Sequence, residues 1–149
     1  MAARWPTKSQ PVPSLPAQLL RQWQFGALVA GGLLVSGYFG LRAIWSNAAA
    51  LAWAALTLPA LIALLLFLLR NLHLNAPPDS GPLFSDLGPA NTITLARGLM
   101  AATLAGFVVL PRPPEPLAWF PFVLYSGVIW LDLLDGYVAR RTGRVTALG

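Results

Sequence analysis

The chain contains no cysteine and a single histidine, His73. Disulfides, thiolate zinc sites and cysteine nucleophiles are therefore excluded, and so is a metal centre built on histidines. His73 reads as an interfacial loop residue. Charge is also scarce: 10% of the 149 residues are charged, and five of them are acidic. Soluble proteins carry roughly 25%. In place of charge the chain has apolar residues, 56% of the total. Several apolar runs approach or exceed the roughly 20 residues that span a bilayer. The chain therefore reads as an integral membrane protein, with the lipid bilayer as its first partner. The net charge of +5 does not point to nucleic acid. The basic residues flank apolar runs and form no stripe on a soluble face.

The fold expected from this pattern is all-α, a polytopic transmembrane helical bundle. Four spans are predicted, at about 25–45, 49–69, 91–110 and 117–139. Before them, Pro6, Pro11, Pro13 and Pro16 block helix formation, which makes residues 1–22 a Pro-rich tail. Residues 23–70 form a two-helix membrane hairpin with a turn at Ser46-Asn47. Residues 71–90, dense in Asn, Asp, Gly and Pro, form a loop and a boundary. The second unit is 91–149. Small residues recur every fourth position along Gly32, Ser36 and Gly40, along Gly26 and Ala30, and along Gly98, Ala102 and Gly106. That spacing lets helix backbones approach closely. Asn91 stands where a residue would cap the third helix.

Orientation follows from the basic residues. Arg4, Lys8, Arg21, Arg70, Arg140, Arg141 and Arg144 fall on one side of the four spans, and Arg42 and Arg112 on the other. Basic loops stay inside, so both termini are expected to be cytoplasmic. Asn91, Thr94, Arg97, Asp132 and Asp135 then share the cytoplasmic half.

These residues carry the chemistry. Asp132 and Asp135 are i and i+3 on the fourth span and lie on one face. Ionisable residues at membrane depth are costly and by default mark a site. Two unpaired carboxylates in low dielectric repel and tend to protonate, and a divalent cation removes that difficulty. Mg²⁺ or Mn²⁺ suits oxygen ligands and bridges to phosphates. Gly136 and Ala139 leave room on the same face for a flat group. Asn91, Thr94 and Arg97 share a face of the third span, where an arginine either snorkels or meets an anion. On the residues alone, metal–phosphate chemistry, a transporter's carboxylate pair and a structural pair of an aspartate with Arg140 all remain open.

The run Asp132-x2-Asp135-Gly136-x2-Ala139-Arg140-x8-Gly149 resembles the signature of the CDP-alcohol phosphatidyltransferase family. The opening Pro89-x-Asn91-x-Ile93-Thr94-x2-Arg97 is similar to the start of that family's first catalytic helix. The resemblance covers residues 89–149 and leaves the first hairpin as an addition. It implies a membrane phosphotransferase of phospholipid biosynthesis. Such an enzyme moves a substituted phosphoryl group from CDP-diacylglycerol or a similar CDP-alcohol to an alcohol acceptor and releases CMP. By the same resemblance, Asp132 and Asp135 ligate Mg²⁺ or Mn²⁺. Gly136, Ala139, Arg140 and Gly149 serve the nucleotide. Asn91, Thr94, Arg97 and Arg144 are candidates for substrate phosphates. A homodimer is implied as well.

The family signature continues Gly-x3-Asp-x3-Asp, whereas this sequence ends at the glycine. The general base is therefore expected beyond Gly149. The chain is expected to be an incomplete piece that is inactive alone. The alternative is a non-catalytic membrane pseudo-enzyme or partner subunit. The acceptor alcohol is not legible in the residues present. Absence of cysteine with an Ala/Leu/Arg-rich makeup leans toward a bacterial inner membrane.

Overall fold

The computed structural model describes residues 15–77, 82–142, 146 and 148. These form four α-helices and no strand: α1 Ala17–Ile44, α2 Asn47–Asn71, α3 Gly88–Ala105 and α4 Phe120–Thr142. One-turn 3₁₀ segments, Leu72–Leu74 and Leu117–Trp119, follow α2 and precede α4. Consecutive helices run antiparallel. One end of the bundle therefore gathers the start of α1, the end of α2, the start of α3 and the end of α4. Among the described residues, three helical segments are long and apolar enough to cross a bilayer: Ala17–Ile44, Asn47–Leu74 and Leu117–Thr142. The chain is a membrane protein on that basis. The predicted span 91–110 corresponds to α3, which has 18 residues and carries Arg97. At 1.5 Å per residue it is about 27 Å long.

α1 begins at Ala17, eight residues ahead of the predicted span, so residues 17–22 are helix and not tail. Pro16 sits at the cap position, and nothing after it blocks the helix. Packing then holds the extension. Leu19 is fully buried with Leu72 and Leu87, beside Leu68, Leu69 and Trp23. Trp23 Nε1 donates to Leu65 O at 2.9 Å. Residues 1–14 of the expected tail lie outside the described residues.

The turn between α1 and α2 follows expectation. Ser46 caps α2, its Oγ accepting from Ala49 N at 3.1 Å, and α2 runs on through Pro59.

α3 departs from expectation at both ends. It starts at Gly88, whose φ of 71° suits glycine, and Pro89 follows with its φ preset for helix. Asn91 is therefore inside the helix and is not its cap. The cap position is Leu87, whose N–H donates to Gln22 Oε1 at 2.7 Å. At the far end α3 stops at Ala105, and Phe107, Val108 and Leu110 close tighter turns onto Leu104, Ala105 and Phe107. Phe107 leaves the helix axis to pack edge-on against Trp53 and Phe120.

Trp53 is the hub of the other end. Its Nε1 donates to Thr103 O at 3.0 Å. Gly37 of α1 and Gly106 beyond α3 both press on its ring, and a Cβ at either would overlap it. Two of the three small-residue lines are thereby accounted for. Gly98 and Gly106 meet α2 at Leu64, Thr57 and Trp53, and Gly26 meets Leu95 of α3. The Gly32 and Gly40 line meets nothing within 4 Å.

Candidate active site

The site lies at the end where α3 starts and α4 finishes. α3 presents Asn91, Thr94 and Arg97 along one face, and α4 presents Asp132 and Asp135. Arg97 reaches both carboxylates: Nη1 lies 2.5 Å from Asp132 Oδ1, and Nε 3.4 Å from Asp135 Oδ2. Thr94 Oγ1 donates to the same Asp135 oxygen at 2.9 Å. The i, i+3 spacing on α4 turns both acids toward α3, and the i, i+3 spacing of Thr94 and Arg97 answers it.

Depth separates the two acids. The Asp132 side chain is 60% exposed and that of Asp135 15%. Arg97 is one positive charge against two negative ones, so the triad keeps one net negative charge. The arginine does not snorkel away from the site. The Asp–Arg140 pair that remained open on the residues alone does not form. Arg140 instead folds over Gly136, its Nη1 3.3 Å from where a Cβ would stand. A planar guanidinium thus occupies the space expected for a flat ligand.

A cleft of about 160 Å³ opens beside Asp135, lined by Ala90, Asn91, Thr94, Arg97, Gly136, Ala139 and Thr146. Of the residues that the sequence reading singled out, Asn91, Thr94, Arg97, Asp135, Gly136 and Ala139 line this cleft. That reading missed Thr146 and Asn75. Asn91 Nδ2 donates to Asn75 Oδ1 at 3.0 Å and to Thr146 Oγ1 at 3.1 Å. Asn75 is fully buried, and its Nδ2 donates to Asp86 O at 2.7 Å. Its backbone carbonyl accepts from Phe84 N at 2.9 Å. Asn75 therefore closes the loop between α2 and α3 and presents Asn91 to the cleft. Arg144 and Gly149 lie outside the described residues.

Two carboxylates at this spacing are hard oxygen donors of the kind Mg²⁺ and Mn²⁺ take. Among the described residues no group of three or more His, Cys, Asp or Glu side chains converges. Asp132 and Asp135 are the residues that would hold such an ion, in place of their pairing with Arg97.

Residues 87–149 match the model of the CDP-alcohol phosphatidyltransferase family. The match covers α3, α4 and the cleft between them, and the α1–α2 hairpin lies outside it. The match is a likeness of this part of the chain to a family of transferases for phosphate-containing groups in phospholipid biosynthesis, a family generally dependent on divalent metals. Searches of curated proteins and of solved structures find no match. Within the matched segment, Asn91, Thr94 and Arg97 of one quoted motif and Asp135, Gly136 and Ala139 of the other line one cleft.

Proposed function

We propose that the chain carries the CDP-alcohol-binding site of a membrane phosphotransferase. The reaction moves a substituted phosphoryl group from CDP-diacylglycerol or a similar CDP-alcohol to an alcohol and releases CMP. The observation that carries this reading is the face-to-face arrangement of Thr94 and Arg97 with Asp132 and Asp135, inside the segment that matches the family.

Asp132 and Asp135 would hold Mg²⁺ or Mn²⁺, which supplies charge neutralisation at the diphosphate. The residues of the chain do the rest. Arg97 keeps the two carboxylates together in the absence of ligand, and it turns to phosphate oxygens when they arrive. Thr94 orients Asp135. Gly136 and Ala139 leave the wall thin where cytidine approaches, and Arg140 swings off Gly136 to meet the nucleotide. Arg144 and Gly149 keep the roles that the resemblance implies. No residue here is assigned as general base.

All four helices cross or enter the bilayer in this reading, with the cleft cytoplasmic. Arg21, Arg70, Arg140 and Arg141 ring that end, against Arg42 and Arg112 at the other.

A second reading, a non-catalytic partner subunit, is favoured by one feature: both carboxylates are already paired to Arg97 and no third acid joins them among the described residues. CMP release from CDP-diacylglycerol with Mn²⁺ and an alcohol, together with CMP retention, tests both. The 149-residue chain is expected to retain Mn²⁺–CMP and to release no CMP above background. Failure to retain Mn²⁺–CMP would leave the partner-subunit reading, and clear turnover would make the chain complete as a catalyst.

A further inference from the structure

A second groove lies on the opposite face of α3 from the carboxylates. Its volume is about 360 Å³, larger than the cleft. On α3 it is lined by residues 92, 95, 96 and 99, whereas the cleft takes residues 90, 91, 94 and 97. At 3.6 residues per turn these sets face apart. Phe25 and Val29 of α1 form the other wall. Gly26 sets the depth: a Cβ there would stand 2.9 Å from Leu95 Cδ2.

The groove is apolar except at one end. There Arg21 and Gln22 line it, at the end of the bundle that also holds the Arg97 triad. Among the described residues Arg21 has no ion pair, and no carboxylate lines the groove. Gln22 is fixed through Oε1, which accepts from Leu87 N at 2.7 Å. Its Nε2 keeps two N–H donors with no acceptor among the described residues. Both walls otherwise open to the lipid side, with Phe25 69% exposed.

We propose that this groove binds one anionic phospholipid of the bilayer, with its phosphate at Arg21 and Gln22 and an acyl chain between Phe25 and Leu95. Charge complementarity selects this occupant. A cation and two amide donors above an apolar slot match a phosphodiester above a hydrocarbon chain. The slot runs about 12 Å from Arg21 to Val29, part of an acyl chain's length. A second copy of this chain is a poor complement. Its Asp132 and Asp135 are paired to Arg97, and Glu115 to Arg112 at the other end. The lipid fills the space beside the close approach of Gly26 to Leu95, and it holds the hairpin outside the family match onto the segment inside it. The inference does not rest on the chemistry at Asp132 and Asp135.

Native mass spectrometry of the full chain in a neutral detergent tests it, with dioleoyl phosphatidylglycerol or dioleoyl phosphatidylcholine added. One phosphatidylglycerol is expected to remain bound, at about five-fold higher occupancy than phosphatidylcholine, from one basic contact. Arg21→Gln should reduce phosphatidylglycerol to the phosphatidylcholine level. Ala96→Phe, from an exposed position in the groove, should remove both. Equal retention of the two lipids by the unmodified chain would overturn the proposal, as would full retention by Arg21→Gln. Loss on Arg97→Gln with retention in Arg21→Gln would assign the lipid to the cleft. A lipid-free dimer broken by Ala96→Phe would assign the groove to a second copy.

Discussion

Trp53→Ala is expected to lower the unfolding free energy by about 3–5 kcal/mol, measured by denaturant titration in detergent. The indole is 1% exposed and sits where three helices converge. It touches Gly37 and Gly106, stacks edge-on with Phe107 at 6.4 Å, and donates to Thr103 O. In lipid the hydrophobic effect contributes little between helices, so the cost is lost dispersion and an unfilled cavity. The glycines make it worse, since neither Gly37 nor Gly106 has a side chain to relax into the space. Trp53→Phe separates the terms. It keeps most of the ring and loses the hydrogen bond, for about 1 kcal/mol from that bond. A Trp53→Ala loss below that level would remove Trp53 from its central role.

The second large effect is at the carboxylates, and its value lies in two opposite signs. Asp135→Asn should weaken Mn²⁺ binding by about 100-fold, the upper end of what losing even an outer partner of a metal site costs. Arg97→Gln should strengthen it by about ten-fold. Arg97 is the competing cation, bonded to Asp132 and Asp135 together. Removing it leaves two carboxylates one turn apart with no counter-charge from the guanidinium, an arrangement that favours a divalent ion. Paramagnetic resonance of free Mn²⁺ in a titration of the detergent-solubilised chain reads both without turnover. Unchanged affinity in Asp135→Asn would end the metal assignment. Weaker binding in Arg97→Gln would mean that the arginine supports the ion and does not exclude it.

Much of the site was legible because it is written in short spacings. Asp132 and Asp135 had to share a face, as did Thr94 and Arg97, and antiparallel helices bring the two faces to one end. Asn75 was not legible. It stands among turn formers, and its part depends on a loop that returns through Phe84 and Asp86 to bond with it. Thr146 depends on the same tertiary arrangement. The misreading of Asn91 as a cap came from Gly88: its left-handed φ starts α3 earlier, and that conformation leaves no periodic trace. The early start of α1 follows from Leu19 and Trp23, whose burial requires Leu72 and Leu87 from far along the chain. The end of α3 depends likewise on Phe107 and its distant ring partners.

The separation of Arg97 from its acids bears on biogenesis. The first of the two acids it bonds, Asp132, is 35 residues downstream. During synthesis α3 therefore reaches the translocon before either acid that Arg97 bonds, and the guanidinium costs about 2.5–3.5 kcal/mol if it lies centrally. The α1–α2 hairpin has no acid to offset it. α3 and α4 are thus expected to insert together as one unit. Glycosylation mapping of a nascent chain stopped at residue 112 should find α3 poorly integrated, and stable integration there would show that it enters alone.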